Sequence, residues 1–326
     1  MATYKILVGS YTDSIYTLNF APAPSGGTPT LTLLSQVHVG HHPSWIEAHP
    51  SDRSLIFAGL EQADGQIVVL KYDKDGKGHK VDEATCPSGG ADPCTLLLTE
   101  NEVIVGNYSG GTVATIPIST SPPYTRPAEL WTLAMPFEDG KPGRDLSRQE
   151  ASHPHQTAFN PLNTTEKELL VPDLGSDKVW QLTKGSDGHW AIRGFISAET
   201  GGGPRHVAIY GACAHCGPFP CEADNNGKGN VLYVLLELTS QLAVYRFHSG
   251  LPTTHLTTLS TLEQSPAPSY MKAAEILIPK PNRSFPWCIS ISRIGRTHTP
   301  RATRSPFSPW KRERNIQNSW AKYARG

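Results

Sequence analysis

The chain has 326 residues, 29 of them basic and 29 acidic, with 38% apolar side chains. That composition excludes a disordered tract, which lacks the apolar surface to offset chain entropy, and it fills one large domain or two ordinary ones. No run approaches the ~18 apolar residues of a membrane-spanning helix, and the counts of 29 Gly and 28 Pro suit many turns without reaching low complexity.

The elements follow in chain order. Tyr4–Gly9 reads as a strand, and Ile15–Phe20 alternates as its hairpin partner. Ala21–Pro29 is rich in turn residues, and Leu31–Val39 is a third strand. Four similar units then run to about Phe247. They open at Pro43-Ser44-Trp45-Ile46, Pro93-Cys94-Thr95-Leu96, Pro154-His155-Gln156-Thr157 and Pro204-Arg205-His206-Val207. In each, an apolar strand ends on one polar residue (Glu61, Asn107, Asp173, Glu237), and a short turn leads to an alternating strand such as Gln66–Leu70 or Gln241–Tyr245. Ala273–Ile278 opens what reads as another unit. The prolines lie 50, 61 and 50 residues apart, the spacing of four-stranded propeller blades. Apolar residues recur at two and not at three and four, so the fold class is all-β, a β-propeller without helices.

The loop Gly211–Gly229 lengthens the fourth unit and is expected on one rim of the propeller. It holds Cys213, His215, Cys216 and Cys221. With His206 these are zinc-ligand types, but their spacing fits no standard finger, so neither a metal nor a cofactor is expected. Met1–Ser10 lacks the basic and apolar regions of a secretory leader. Six cysteines at irregular spacing then predict reduced thiols and a cytoplasmic location.

Propeller geometry brings the ends of the inner strands to a central channel, though they are far apart in sequence. The repeat therefore gathers imidazole, guanidinium and carboxylate in one concave place. Arg205 suits a carboxylate or phosphate. His155 can move a proton at neutral pH, and Glu237, ending the apolar run Val231–Leu236, must be paired or functional if buried. These three are the candidate catalytic residues. His153, His206, Asp173 and Asn107 are placed as substrate-binding; for Asp173 and Asn107, tying the turn together is the competing role. A small anion is the expected partner, with no nucleic acid and no membrane.

The runs Leu7-Val8-Gly9-Ser10-Tyr11-Thr12, Gly106-Asn107-Tyr108-Ser109-Gly110-Gly111, Ser152-His153-Pro154-His155, Val171-Pro172-Asp173-Leu174-Gly175 and Gly203-Pro204-Arg205-His206 carry a resemblance. The chain, from residue 4 to about 285, resembles the seven-bladed β-propeller lactonase family. That family includes propeller-type 6-phosphogluconolactonases and the fungal carboxy-cis,cis-muconate cyclase. The resemblance implies a site made of a His, an Arg, a Glu and a second Arg. The first three fall on His155 (with His153 beside it), Arg205 and Glu237, although Leu236 stands where the family has Asn. The second Arg, from a Ser-Asn-Arg motif, has no counterpart. The implied chemistry is hydrolysis of a sugar lactone or, alternatively, cyclisation of a muconate; a non-catalytic propeller is the third reading.

The even charge balance hides a split. Residues 283–326 hold ten Lys or Arg and one acid, Glu313, so a body of net −9 is joined to a tail of +9. Such asymmetry commonly marks a nucleic-acid or membrane arm. Here the Arg-, Ser-, Thr- and Pro-rich stretch Ser292–Arg304 reads instead as translation of a neighbouring frame, with the change between about Pro286 and Ile291. The expected organisation is a propeller over residues 1–285, about five blades and part of another, and an unrelated tail over residues 286–326.

Overall fold

Short alternating apolar runs between Gly-, Pro- and Asp-rich turns give strands. The structure, a computed structural model, describes residues 3–23, 27–142, 144–163, 167–210, 230–247, 253–262, 271–278 and, for the backbone alone, 290–295. Among these residues the single helical element is a 3-10 turn, Pro127–Glu129. The tail beyond Gly295, and the loop with Cys213, His215, Cys216 and Cys221, lie outside the described residues.

Four sheets have four antiparallel strands in meander order. They are β4 (Pro43–Ala48) to β7 (Gly78–Pro87), with β5 (Leu55–Leu60) and β6 (Gln66–Tyr72) between; β8 (Pro93–Leu98), β9 (Glu102–Asn107), β10 (Thr112–Pro117) and β11 (Trp131–Ala134); β12 (Ala158–Phe159), β13 (Glu168–Asp173), β14 (Lys178–Lys184) and β15 (Trp190–Ser197); and β16 (Pro204–Tyr210), β17 (Val231–Leu236), β18 (Gln241–Arg246) and β19 (Thr254–Ser260). A three-stranded sheet precedes them, β1 (Tyr4–Val8), β2 (Ser14–Ala21) and β3 (Thr30–His38), and a two-stranded one follows, β20 (Met271–Leu277) and β21 (Ser290–Gly295). β21 pairs antiparallel with β20, Leu277 opposite Ser290 at one end and Met271 opposite Gly295 at the other.

The core is a series of layers between successive sheets. Ile15, Val39, Ile56 and Val68 join the first two sheets. Phe57, Ile67, Leu96 and Val105 join the next pair, then Ile104, Val113, Leu169 and Trp180. Leu170, Val179, Val207 and Leu232 continue the series, and Leu235, Leu242, Ala273 and Ile276 complete it. Both faces of a middle sheet are therefore buried, which is why β5, β9 and β13 read as continuous apolar runs. The first sheet differs. Tyr4, Ile6, Leu31 and Leu33 share one of its faces and are 40–60% exposed.

Candidate active site

The repeat proline positions the site. Proline has no N–H to give the ladder and is confined to strand starts or bulges. In three units the preceding residue has left-handed backbone: His42 (φ 47°), Asp92 (φ 53°) and Gly203 (φ 65°). The ladder then skips one residue. Pairing jumps from Pro43 to Trp45, from Pro93 to Thr95 and from Pro204 to His206. β20 makes the same jump between Ala273 and Glu275. A bulge takes a residue out of the ladder and re-aims it. Ser44, Cys94, Arg205 and Ala274 are those residues, and His155, following the isolated Pro154–Asp173 bridge, is their counterpart in the remaining unit.

Four of these five positions, Arg205, Ala274, His155 and Cys94, meet one another. Arg205 Nη1 donates to His155 Nε2 at 2.7 Å and to Glu237 Oε2 at 2.6 Å, and its Nε donates to the Ala274 carbonyl at 2.6 Å. Cys94 Sγ lies 4.0 Å from His155 Nδ1. Ser44 and Tyr11 both donate to Glu61. Arg205 is a donor only, so His155 Nε2 must accept and Nδ1 carries the ring proton. Burial, then the positive Arg205 beside it, holds the His155 imidazole well below its ordinary pKa, so the ring is neutral. Burial likewise pushes the Cys94 thiol up, and it stays protonated.

Glu237 is 4% exposed and held by two arginines. Arg148 Nη1 meets its other oxygen, Oε1, at 2.8 Å, and Arg148 Nη2 donates to Tyr108 Oη at 3.2 Å. Burial works against the charge on Arg148, but Glu237 and Tyr108 outweigh it and the net shift is upward. Sequence reasoning missed Arg148, which no motif marks. One signal pointed to it: the interval from Pro93 to Pro154 is 61 residues against 50 on either side, and the surplus falls in the segment that carries Arg148.

The substrate-binding expectations divide. Asp173 accepts five hydrogen bonds, from Ser152 Oγ (2.6 Å), Trp180 Nε1 (2.9 Å) and the backbone N–H groups of His153, Gly175 and Ser176 (2.7–3.2 Å). A fully buried carboxylate so engaged has no acceptor left for a substrate, so the geometry gives Asp173 the turn-tying role instead. Asn107 also ties its turn, donating through Nδ2 to Ser88 O at 3.1 Å and Thr112 Oγ1 at 3.0 Å. His153 stacks on Tyr108 with ring centroids 4.3 Å apart, and its two nitrogens face the Tyr108 carbonyl and Glu150. It supports the Tyr108 ring, which meets His155 edge-on at 5.4 Å. His206 does join the cluster, its ring 5.4 Å from that of His155, with Nδ1 2.7 Å from Glu275 Oε1. Among the described residues no group of three or more His, Cys, Asp or Glu is placed to hold a metal ion.

A family model described as a seven-bladed beta-propeller lactonase matches residues 5–285. The chain belongs to that lactonase family. A protein of Arthroderma benhamiae named "Probable 6-phosphogluconolactonase" is 26% identical to it over 275 residues, 83% of this chain and 62% of that protein. This lactonase-family chain thus spans about half to three-fifths of the length of the curated relatives it matches. Two solved structures share the fold. A protein from Lactobacillus plantarum superposes with a TM-score of 0.68 at 21% identity, covering 90% of this chain and 76% of that one. The periplasmic gluconolactonase of Pseudomonas aeruginosa does so with a TM-score of 0.68 at 20% identity, covering 90% and 77%. Among the described residues, no helix is long and apolar enough to cross a membrane.

Proposed function

We propose that this chain is a hydrolase of an anionic sugar lactone, of the 6-phosphogluconolactone class, acting at the Arg205 cluster. The observation that carries the reading is the one-sided engagement of Arg205. Its Nε and Nη1 are committed to Ala274, His155 and Glu237, while its two Nη2 donors have no partner among the described residues. Those donors suit an oxyanion or the developing charge on a lactone carbonyl. Glu237 and His155 fix the guanidinium plane from one side, so the free edge is oriented before substrate arrives. The name of the Arthroderma benhamiae relative supports the substrate class.

Cyclisation of a muconate fits less well. That substrate carries several carboxylates and calls for more than one anion clamp. Arg148, the other arginine of the cluster, is tied by Glu237 at one nitrogen and Tyr108 at the other.

The test is direct. The purified chain is assayed against 6-phosphogluconolactone, glucono-δ-lactone and 3-carboxymuconate. Faster loss of a lactone than the spontaneous rate, abolished by Arg205→Ala, supports the reading. Turnover of the muconate alone, or of no lactone, overturns it.

A further inference from the structure

We propose that His206, oriented by Glu275, is the base of this site, and that His155 serves to position Arg205. His206 and Glu275 occupy one repeat position, the residue just after the bulge, on the neighbouring strands β16 and β20. Equivalence by repeat is what brings them together across 69 residues. Glu275 is itself held by the Ile276 N–H at 2.9 Å. Burial raises its pKa, but the hydrogen bond and charge of His206 outweigh that and hold the carboxyl below its ordinary value. A carboxylate 2.7 Å from Nδ1 fixes that nitrogen as the protonated one and leaves the lone pair on Nε2.

His206 Nε2 is buried and has no partner among the described residues. The Trp45 Nε1 donor is buried without a partner as well, and the two rings meet edge-on at 5.9 Å. Unsatisfied buried polar atoms are rare because each forfeits its hydration. Here an acceptor and a donor stand unsatisfied on touching rings, beside the imidazole that Arg205 grips. His155 offers the opposite arrangement, since its Nε2 lone pair is already taken by Arg205. Among the described residues the charged or titratable groups facing His206 are Glu275 from β20, His155 from the segment before β12 and Arg205 from its own strand; β4 contributes Trp45, which does not titrate.

The step rests on the lactonase reading, whereas the Glu275–His206 pairing does not. A water molecule loses a proton to His206 Nε2 as its oxygen bonds to the lactone carbonyl carbon, and the carbonyl π pair moves onto the oxygen. Return of that pair breaks the ring C–O bond, and the ring oxygen takes the proton from Nε2 to leave as a hydroxyl. The Trp45 N–H is placed to orient the water.

Two measurements on the full chain decide it. In kinetics, His206→Gln lowers kcat roughly 100-fold or more with KM little changed. Glu275→Gln lowers kcat less and moves the acidic limb of the pH–rate profile to lower pH, because the imidazolium loses its counter-charge. Full activity in His206→Gln, or an acidic limb removed by His155→Gln instead, overturns the proposal. Nitrogen NMR of the imidazoles gives a readout free of activity. His206 is expected as the Nδ1–H tautomer in the wild type, and a proton on Nε2 overturns the pairing even if no lactone is turned over. Normal imidazole spectra with no lactone hydrolysis overturn the catalytic role and the lactonase reading together, and leave the pairing standing.

Discussion

Arg148 Nη1 lies 2.8 Å from Glu237 Oε1, so the loop after β11 completes a grip on the carboxylate that Arg205 begins from β16. Removing one partner of a buried ion pair costs roughly 3–5 kcal/mol when it leaves the other charge alone. Because Arg205 remains, Arg148→Met is expected to cost less, about 2 kcal/mol. A double-mutant cycle with Glu237→Gln in urea unfolding checks the link, with an expected coupling of about 1–3 kcal/mol. A coupling near zero would show that the contact does not hold in solution.

Arg205 should not tolerate lysine. Its planar fork reaches three acceptors at once, and an ammonium on a flexible stem cannot reproduce that geometry. Arg205→Lys is expected to lower kcat/KM roughly 100-fold or more, as loss of an oriented donor at developing charge does. Wild-type turnover by the lysine variant would remove Arg205 from the chemistry.

Asp173 separates stability from catalysis. Asp173→Asn sets an NH2 group against donors such as Ser152 and Trp180, and is expected to cost about 2–4 kcal/mol. The KM of the folded fraction should stay at the wild-type value. A variant of normal stability and altered KM would return Asp173 to the substrate pocket.

His155 predicts a pH dependence of stability. The unfolded chain binds a proton there near the ordinary value of 6.5, while the native ring, buried beside Arg205, resists it. The unfolded state therefore holds more protons below pH 6.5, and stability falls as the pH drops, until the native ring protonates at its depressed value. Each pH unit in that window is worth up to about 1.4 kcal/mol. Melting temperatures of wild type and His155→Gln between about pH 4 and 7 check it; parallel curves would contradict the assignment.

The strands were legible because period-two runs and turn residues are local properties of the chain, and the recurring prolines mark where each blade opens. The same prolines led to His155 and Arg205, since each follows one directly. Glu237 was legible as a polar residue ending an apolar run. Asp173 ends its strand in the same way, and the sequence could not tell the two apart. The difference lies in their neighbours: Glu237 meets two guanidinium groups from distant segments, whereas Asp173 meets only neutral donors, from its own turn, from Trp180 and from the Ser152–His153 segment.

By itself, then, the sequence determined an all-β propeller of repeated blades, the bounds of strands such as Tyr4–Val8 and Gln241–Arg246 to within a residue or two, and the three residues His155, Arg205 and Glu237 that meet in the central cluster. Only the tertiary structure decided which polar groups face one another. Arg148 reached Glu237 from the loop after β11, and His206 reached Glu275 because two bulged inner strands 69 residues apart converge. Contacts of that kind are fixed by how whole sheets pack, and no local pattern along the chain encodes them.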